Sequence, residues 1–121
     1  MATVLLADDD AQLREMYALW IQDLECVTLQ FAADGAEAEK RVDESVDVAV
    51  VDRRMPKTTG DEVARTIRST HPDCDVIIVS AFVPDENLAD DHYDCYLTKP
   101  IQREDLVAAV KRALPNQPAF D

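Results

Sequence analysis

No apolar run in this chain comes near the roughly 20 residues that a membrane-spanning helix needs, and the first acidic cluster, Asp8-Asp9-Asp10, arrives too early for a secretory leader. A cytoplasmic protein that stays off the membrane is the expectation. Cysteine is sparse and unpatterned: Cys26, Cys74 and Cys95 are odd in number and form no Cys-x-x-Cys pair. That spacing fits neither a disulfide framework nor a thiolate metal site, so the three read as reduced, partly buried thiols. Positive charge is in short supply. Twelve Lys and Arg face 25 Asp and Glu, for a formal net charge of −13. Nucleic-acid binding needs a basic face, and this balance excludes it for the domain itself. Internal repeats, low-complexity segments and interior domain boundaries are also missing.

The acids are spread along the whole chain and not gathered in a tail. Such a density points to adaptation to high salt. At molar salt the Debye length falls to about 3 Å, so self-repulsion that would strain the fold in dilute buffer is screened. With 121 residues, 47% of them apolar, the chain is long enough for one self-sufficient core.

The apolar pattern alternates between short β-branched runs and longer amphipathic stretches. Strands are expected from Thr3 to Ala7, Val27 to Ala32, Val48 to Val51, Asp75 to Val79 and Cys95 to Thr98. Between the first two, Leu13, Met16, Tyr17, Trp20 and Leu24 recur at helical spacing. An alanine-rich second helix follows Asp34-Gly35 and runs to about Glu44. Val63, Ala64 and Ile67 mark a third, which ends before Pro72, because a residue preceding proline disfavours helical geometry. Leu106, Ala109, Val110 and Ala113 give the last helix an inward face, stopped by Pro115. Serial βα units imply a parallel sheet covered on both faces, with the most apolar strands, three and four, central. The weak stretch is Val83 to Tyr93, which has Pro84, four acids and few apolar anchors, so a fourth helix there is expected to be short or irregular.

Polar residues end four of these strands. Asp8-Asp9-Asp10 follow the first, Asp52 the third, Ser80 the fourth and Lys99-Pro100 the fifth. In a parallel sheet all strand C-termini share one edge, and ligands bind there. Asp10 suits a helix cap. Two carboxylates about 5 Å apart repel by roughly 3 kcal/mol at an effective dielectric near 20. Gathering Asp8, Asp9 and Asp52 is therefore unfavourable without a cation, and hard oxygen ligands in this number suit Mg²⁺. An aspartate beside Mg²⁺ and Lys99 can attack phosphorus and form an acyl phosphate, with Ser80 placed to bond a phosphoryl oxygen.

Together these pieces resemble the receiver domain of two-component response regulators, over essentially the whole chain. The matching residues are Asp8-Asp9, then Asp52-Arg53-Arg54-Met55-Pro56 with Gly60, then Ser80-Ala81, then Tyr96-Leu97-Thr98-Lys99-Pro100. The resemblance implies a flavodoxin-like (βα)5 fold with a five-stranded parallel sheet in order 2-1-3-4-5. It implies a signalling phosphoacceptor, not an enzyme, with Asp52 taking phosphate from the phosphohistidine of a sensor kinase or phosphotransfer protein. Mg²⁺, with Mn²⁺ as an alternative, would be held by Asp9, Asp52 and the main-chain carbonyl of Arg54, and by Asp8 through water. Lys99 would pair with the phosphate, Ser80 would follow it, and Tyr96 would swing between exposed and inward rotamers. Arg53, Arg54 and Phe82 would flank the pocket. Ser80 to Lys99 is about three residues shorter than in typical receivers, roughly one helical turn.

Asp52-Arg53-Arg54-Met55-Pro56, with Gly60-Asp61-Glu62-Val63 after it, is similar to haloarchaeal HalX-type receivers, which agrees with the acidity. Residues 1–114 are read as the receiver and 115–121 as a tail or the start of a linker. A homodimer stays open as an assembly. Two rivals stand beside this reading. A haloacid dehalogenase-type phosphohydrolase would use Asp8-Asp9-Asp10, Ser80 and Lys99, but needs a further acidic pair at a strand end after the lysine and leaves Asp52-Arg53-Arg54-Met55-Pro56 unexplained. A phosphate-independent interaction module would not need the full acceptor set.

Overall fold

The computed structural model describes residues 2–24, 27–82 and 92–114. Five strands form one sheet: β1 (Ala2–Ala7), β2 (Val27–Ala32), β3 (Val48–Asp52), β4 (Asp75–Ser80) and β5 (Cys95–Thr98). Four helices are described: α1 (Ala11–Ile21), α2 (Gly35–Arg41), α3 (Gly60–Thr70) and α4 (Arg103–Ala113). The strand order is β2-β1-β3-β4-β5, and every neighbouring pair is parallel. The expected architecture is therefore present. The stretch expected to hold a short or irregular helix between β4 and β5 lies largely outside the described residues, as do Cys26 and residues 115–121.

Strand periodicity builds two cores, one on each face of the sheet. Val4, Leu6, Val48, Val50, Ile77 and Val79 point to one side, where Tyr17 and Ile21 of α1 and Leu106 and Val110 of α4 cover them. Leu5, Ala49, Val51, Val76 and Ile78 point to the other, under Ala38 of α2 and Val63, Ala64 and Ile67 of α3. Every residue of β3, the middle strand, is buried. Burying one such valine stabilises the fold by about 1.5 kcal/mol or more.

Two strands run one residue further than the apolar pattern indicates. Asp52 is the last residue of β3 and pairs with Val79, while Ser80 is the last of β4 and pairs with Thr98. Ladder pairing, not a loose loop, thus fixes the backbone of both. α2 is shorter than expected and stops at Arg41, since Val42 turns extended and the Asp43 carboxylate accepts from the Ser45 amide and hydroxyl. On α1 the buried residues are Tyr17 and Ile21, while Met16 is 36% exposed. The helix faces the sheet along positions 17 and 21, one turn apart, and Met16 lies on the flank of that line.

The order β2-β1-β3 matters most for function. From β1 the chain goes outward to β2, then crosses back to β3 on the other side. The C-terminal ends of β1 and β3 consequently diverge at a topological switch point, where such sheets leave a crevice.

Candidate functional site

Asp8 and Asp9 follow β1, and Asp52 ends β3, so both sides of that crevice are acidic. Asp10 does what its position suggests: its carboxylate accepts from the amides of Gln12 and Leu13 and caps α1. Asp8 is 3% exposed. Its Oδ1 accepts the Asp10 amide at 2.9 Å, and its carbonyl accepts Nη1 of Arg14 at 2.6 Å. Its Oδ2 is buried with no hydrogen-bond partner. One carboxylate oxygen from each of Asp8, Asp9 and Asp52 lies within 4.8 Å of the others. An orphaned buried oxygen beside two further hard oxygen donors fits a divalent cation such as Mg²⁺.

Lys99 closes the other side. It follows β5, its backbone amide bonds the Ser80 carbonyl at 2.7 Å, and its peptide bond to Pro100 is cis. Nζ stands 3.5 Å from Asp52 Oδ1 and 3.8 Å from Asp8 Oδ2. Burial pushes the Asp8 carboxyl up to about 6, reinforced by the charges of Asp52 and Asp9 and opposed by the Asp10 amide and Lys99. Asp52, 7% exposed, is also raised by burial, against the pull of Lys99 and of the Arg54 backbone. A single ammonium among three carboxylates leaves the site short of positive charge.

Ser80 is 1% exposed, and its Oγ accepts the Phe82 amide at 3.1 Å. Beside it, Arg53, Arg54, Thr59, Asp61, Ser80 and Phe82 line an open cavity. Arg54 lies over the Phe82 ring, 4.5 Å from its centroid, a cation–π contact that ties the β3 loop to the β4 loop. Tyr96 is half-buried on β5 and donates its hydroxyl to the Phe82 carbonyl at 2.6 Å.

The remaining expected residues shape the loop after Asp52. Met55 is buried in the core below it, while Pro56 and Pro100 are exposed. Gly60 donates its amide to the Arg53 carbonyl at 2.9 Å, and a Cβ there would sit 2.3 Å from the Asp52 carbonyl oxygen. Only glycine lets α3 start that close to the acceptor strand.

The structure thus brings Asp8, Asp9, Asp52, Ser80 and Lys99 together as expected and sets Arg53, Arg54, Phe82 and Tyr96 beside them. Three contributors escape sequence reasoning. Gly35 packs so tightly on the same loop that a Cβ would lie 1.7 Å from the Thr58 carbonyl oxygen. Its scarcity is the available signal, because the chain has two glycines and both hold this loop. Asp61 pairs with Arg53, and Arg14 holds the Asp8 carbonyl. Neither carries a signal in the sequence, since charged residues on helices are usually solvated.

Known proteins carry the same pattern. A candidate transcriptional regulator of Haloferax volcanii is 38% identical over 111 residues, which are 92% of this chain and 19% of that protein. The transcriptional regulatory protein CpxR of Klebsiella pneumoniae is 33% identical, over 94% of this chain and 50% of CpxR. The chain therefore spans half or less of the length of these relatives. Among solved structures, the response regulator TrrA of Thermotoga maritima, in complex with Mg²⁺ and BeF, superposes with a TM-score of 0.83 at 29% identity, covering 94% of this chain and all of that one, 100%. The sequence pattern of the response regulator receiver domain matches residues 4–111. Such domains are signalling phosphoacceptors that bind Mg²⁺ in an acidic pocket and interact with sensor kinases or phosphotransfer partners. With the sheet order, the acidic crevice and the match over nearly its whole length, this chain belongs to the response regulator receiver domain family.

Proposed function

We propose that Asp52 is the phosphoacceptor of this receiver and that phosphorylation there switches its conformation to control an output. The observation that carries the reading is the meeting of Asp8, Asp9 and Asp52 at the β1/β3 crevice, with Lys99 Nζ 3.5 Å from Asp52. A carboxylate oxygen of Asp52 attacks phosphorus of a phosphohistidine. The P–N bond breaks as the P–O bond forms, and the leaving imidazole keeps the electron pair and takes a proton. Lys99 neutralises charge on the phosphoryl oxygens, and the buried Ser80 hydroxyl bonds one of them. Asp9, Asp52 and the Arg54 carbonyl would hold Mg²⁺ or Mn²⁺, with Asp8 acting through water. When bound, the cation supplies further positive charge to the transferring group. That TrrA is seen with Mg²⁺ and BeF supports this assignment.

Arg53, Arg54 and Phe82 flank the entry and govern what reaches Asp52, and Tyr96 reports the switch. The partner is a sensor histidine kinase or phosphotransfer protein, and a homodimer is compatible with the role. Residues 1–114 form the receiver and 115–121 a tail or linker. The Haloferax relative and the acidity favour kinship with HalX-type regulators and a cytoplasmic, salt-adapted setting. Among the described residues no helix is long and apolar enough to cross a membrane.

The test is covalent. With Mg²⁺ and a small phosphodonor such as acetyl phosphate, intact-mass analysis should show one added phosphoryl group, absent from Asp52→Asn. Full labelling of Asp52→Asn, or a label mapping to Asp8, overturns the assignment. Sustained turnover of p-nitrophenyl phosphate would instead indicate a phosphohydrolase.

A further inference from the structure

Among the described residues, the flank of α1 that faces β2 is left uncovered. An open groove of about 570 Å³ lies there, with Ala18, Leu19, Gln22 and Phe31 in its lining. Phe31 shares its sheet face with Val27 and Leu29 by strand alternation, which sets it beside α1. Leu19 is 60% exposed and Phe31 is 42% exposed. Side chains so exposed form a rim, not the enclosure that buries a small ligand, so the groove suits a protein surface. β2 adds a second observation. Among the described residues it is an edge strand, paired with β1. Edge strands are usually guarded by charge or proline. None of its six residues, Val27–Ala32, is charged or a proline, in a chain that is 31% charged.

The charges of the groove narrow its occupant. Arg14 and Glu15 are the charged residues of its lining, and they cancel. At a net −13, two copies of this chain repel over most of their surfaces, so they can meet only on a face that is locally neutral. A two-fold contact sets residue i against residue j and j against i. Adjacent residues of opposite sign then pair twice, Arg14 of each copy with Glu15 of the other. A guanidinium has five N–H donors, and the Asp8 carbonyl takes one of them, from Nη1 of Arg14. We propose that the α1/β2 groove is the interface of a two-fold dimer of this chain, with Leu19 and Phe31 at its apolar centre and Arg14–Glu15 pairs across it.

Sedimentation velocity of the whole chain in about 1 M KCl, where long-range repulsion is screened, tests this. The apparent mass should double between micromolar and millimolar concentration. Leu19→Glu and Phe31→Glu should each weaken dimerisation at least about tenfold, since each puts a charge at the apolar centre. Met16→Glu should leave it unchanged. Met16 is also an exposed apolar residue of α1, but two residues along a helix point nearly opposite ways, so it lies across from Ala18. The pairing has its own signature. Glu15→Arg sets arginine against arginine and Arg14→Glu sets glutamate against glutamate, so neither protein alone should dimerise. An equal mixture of the two restores both pairs and should dimerise again. If Arg14→Glu does not fold, Glu15→Arg and Leu19→Glu, both at exposed positions, decide. Loss of the dimer in both then supports the interface, and persistence in either overturns it. A chain that stays single at millimolar concentration overturns the proposal and leaves the groove for a different protein. A dimer indifferent to Leu19→Glu and Phe31→Glu, or broken by Met16→Glu, lies elsewhere and also overturns it, as does a mixture that stays monomeric. None of these outcomes bears on Asp52 as acceptor.

Discussion

Asp8 sits at the end of β1 with one carboxylate oxygen hydrogen-bonded and the other orphaned, 3.8 Å from Lys99. Its carboxyl is raised to about 6 by burial first and by Asp52 and Asp9 second. An acid whose native pKa exceeds its unfolded value binds more protons when folded. Without divalent metal, the contribution of Asp8 to stability is therefore fullest below about pH 4, falls as pH climbs toward about 6, and is lowest above that. The loss is of order 3 kcal/mol for a shift of this size. Asp8→Asn keeps the shape and removes the charge, so in chelator at pH 7 it should raise the melting temperature, and near pH 4 the gain should vanish. Millimolar Mg²⁺ should reverse the ranking at pH 7, because a ligand of the native state stabilises by mass action. An Asn variant that melts below wild type in chelator at pH 7 would remove the electrostatic case for a cation site. Asp9, in the same cluster, is exposed, so little desolvation is relieved by neutralising it.

At the scale of elements, the loop between Asp52 and α3 is held by the two glycines. Gly35, the first residue of α2, and Gly60, the first of α3, both bring helix starts against backbone where no Cβ fits. The obstructing atoms are main-chain carbonyls of Thr58 and Asp52, which cannot rotate away as a side chain would. Gly35→Ala should cost about 1–3 kcal/mol, the usual range for forced overpacking, and should also slow phosphorylation of Asp52 by shifting its loop. Chemical denaturation and labelling kinetics measure the two together. A Gly35→Ala protein as stable and as fast as wild type would show that the loop yields easily. The same pair shows how far the sequence can be read. Gly60 belongs to a recognisable motif around Asp52, whereas Gly35 looks like an ordinary chain break, because its partner lies in a loop 23 residues away. Strands are legible because β-branched runs are nearly continuous in a sheet buried on both faces. Strand ends are less so: Asp52 and Ser80 are polar, yet both belong to the ladder. Met16 departs from the expected face of α1, since its spacing suits a core stripe but its flank of the helix is left open. The five convergent residues are readable from topology, since each ends a strand or follows its end within two residues. The Arg53–Asp61 pair is not, because pairing depends on a side-chain geometry that spacing does not encode.

Over the whole molecule, charge governs how stability responds to conditions. A formal −13 on 121 residues puts like charges close together over the surface, and folding concentrates them relative to the open chain. The exposed ion pairs do little to offset this. Arg41–Glu37, Lys57–Asp34 and Arg103–Asp23 each have at least one largely exposed partner, and exposed pairs contribute about 0–1 kcal/mol. Screening acts differently, since it weakens all the repulsions at once. The Debye length falls from about 10 Å at 0.1 M to about 3 Å at 1 M, shorter than most spacings between surface carboxylates. The melting temperature at pH 7 should therefore rise steadily as KCl goes from about 0.1 M to about 1 M. Excluded-salt effects also favour burial and must be separated from screening. The separation comes from pH. Near pH 4 many carboxylates are protonated, the net charge shrinks and there is less repulsion to screen, while salt exclusion continues. The rise with KCl should accordingly be much steeper at pH 7 than near pH 4. Equal slopes at the two pH values would assign the whole effect to exclusion, and a flat response at pH 7 would reduce the acidity to a solubility device.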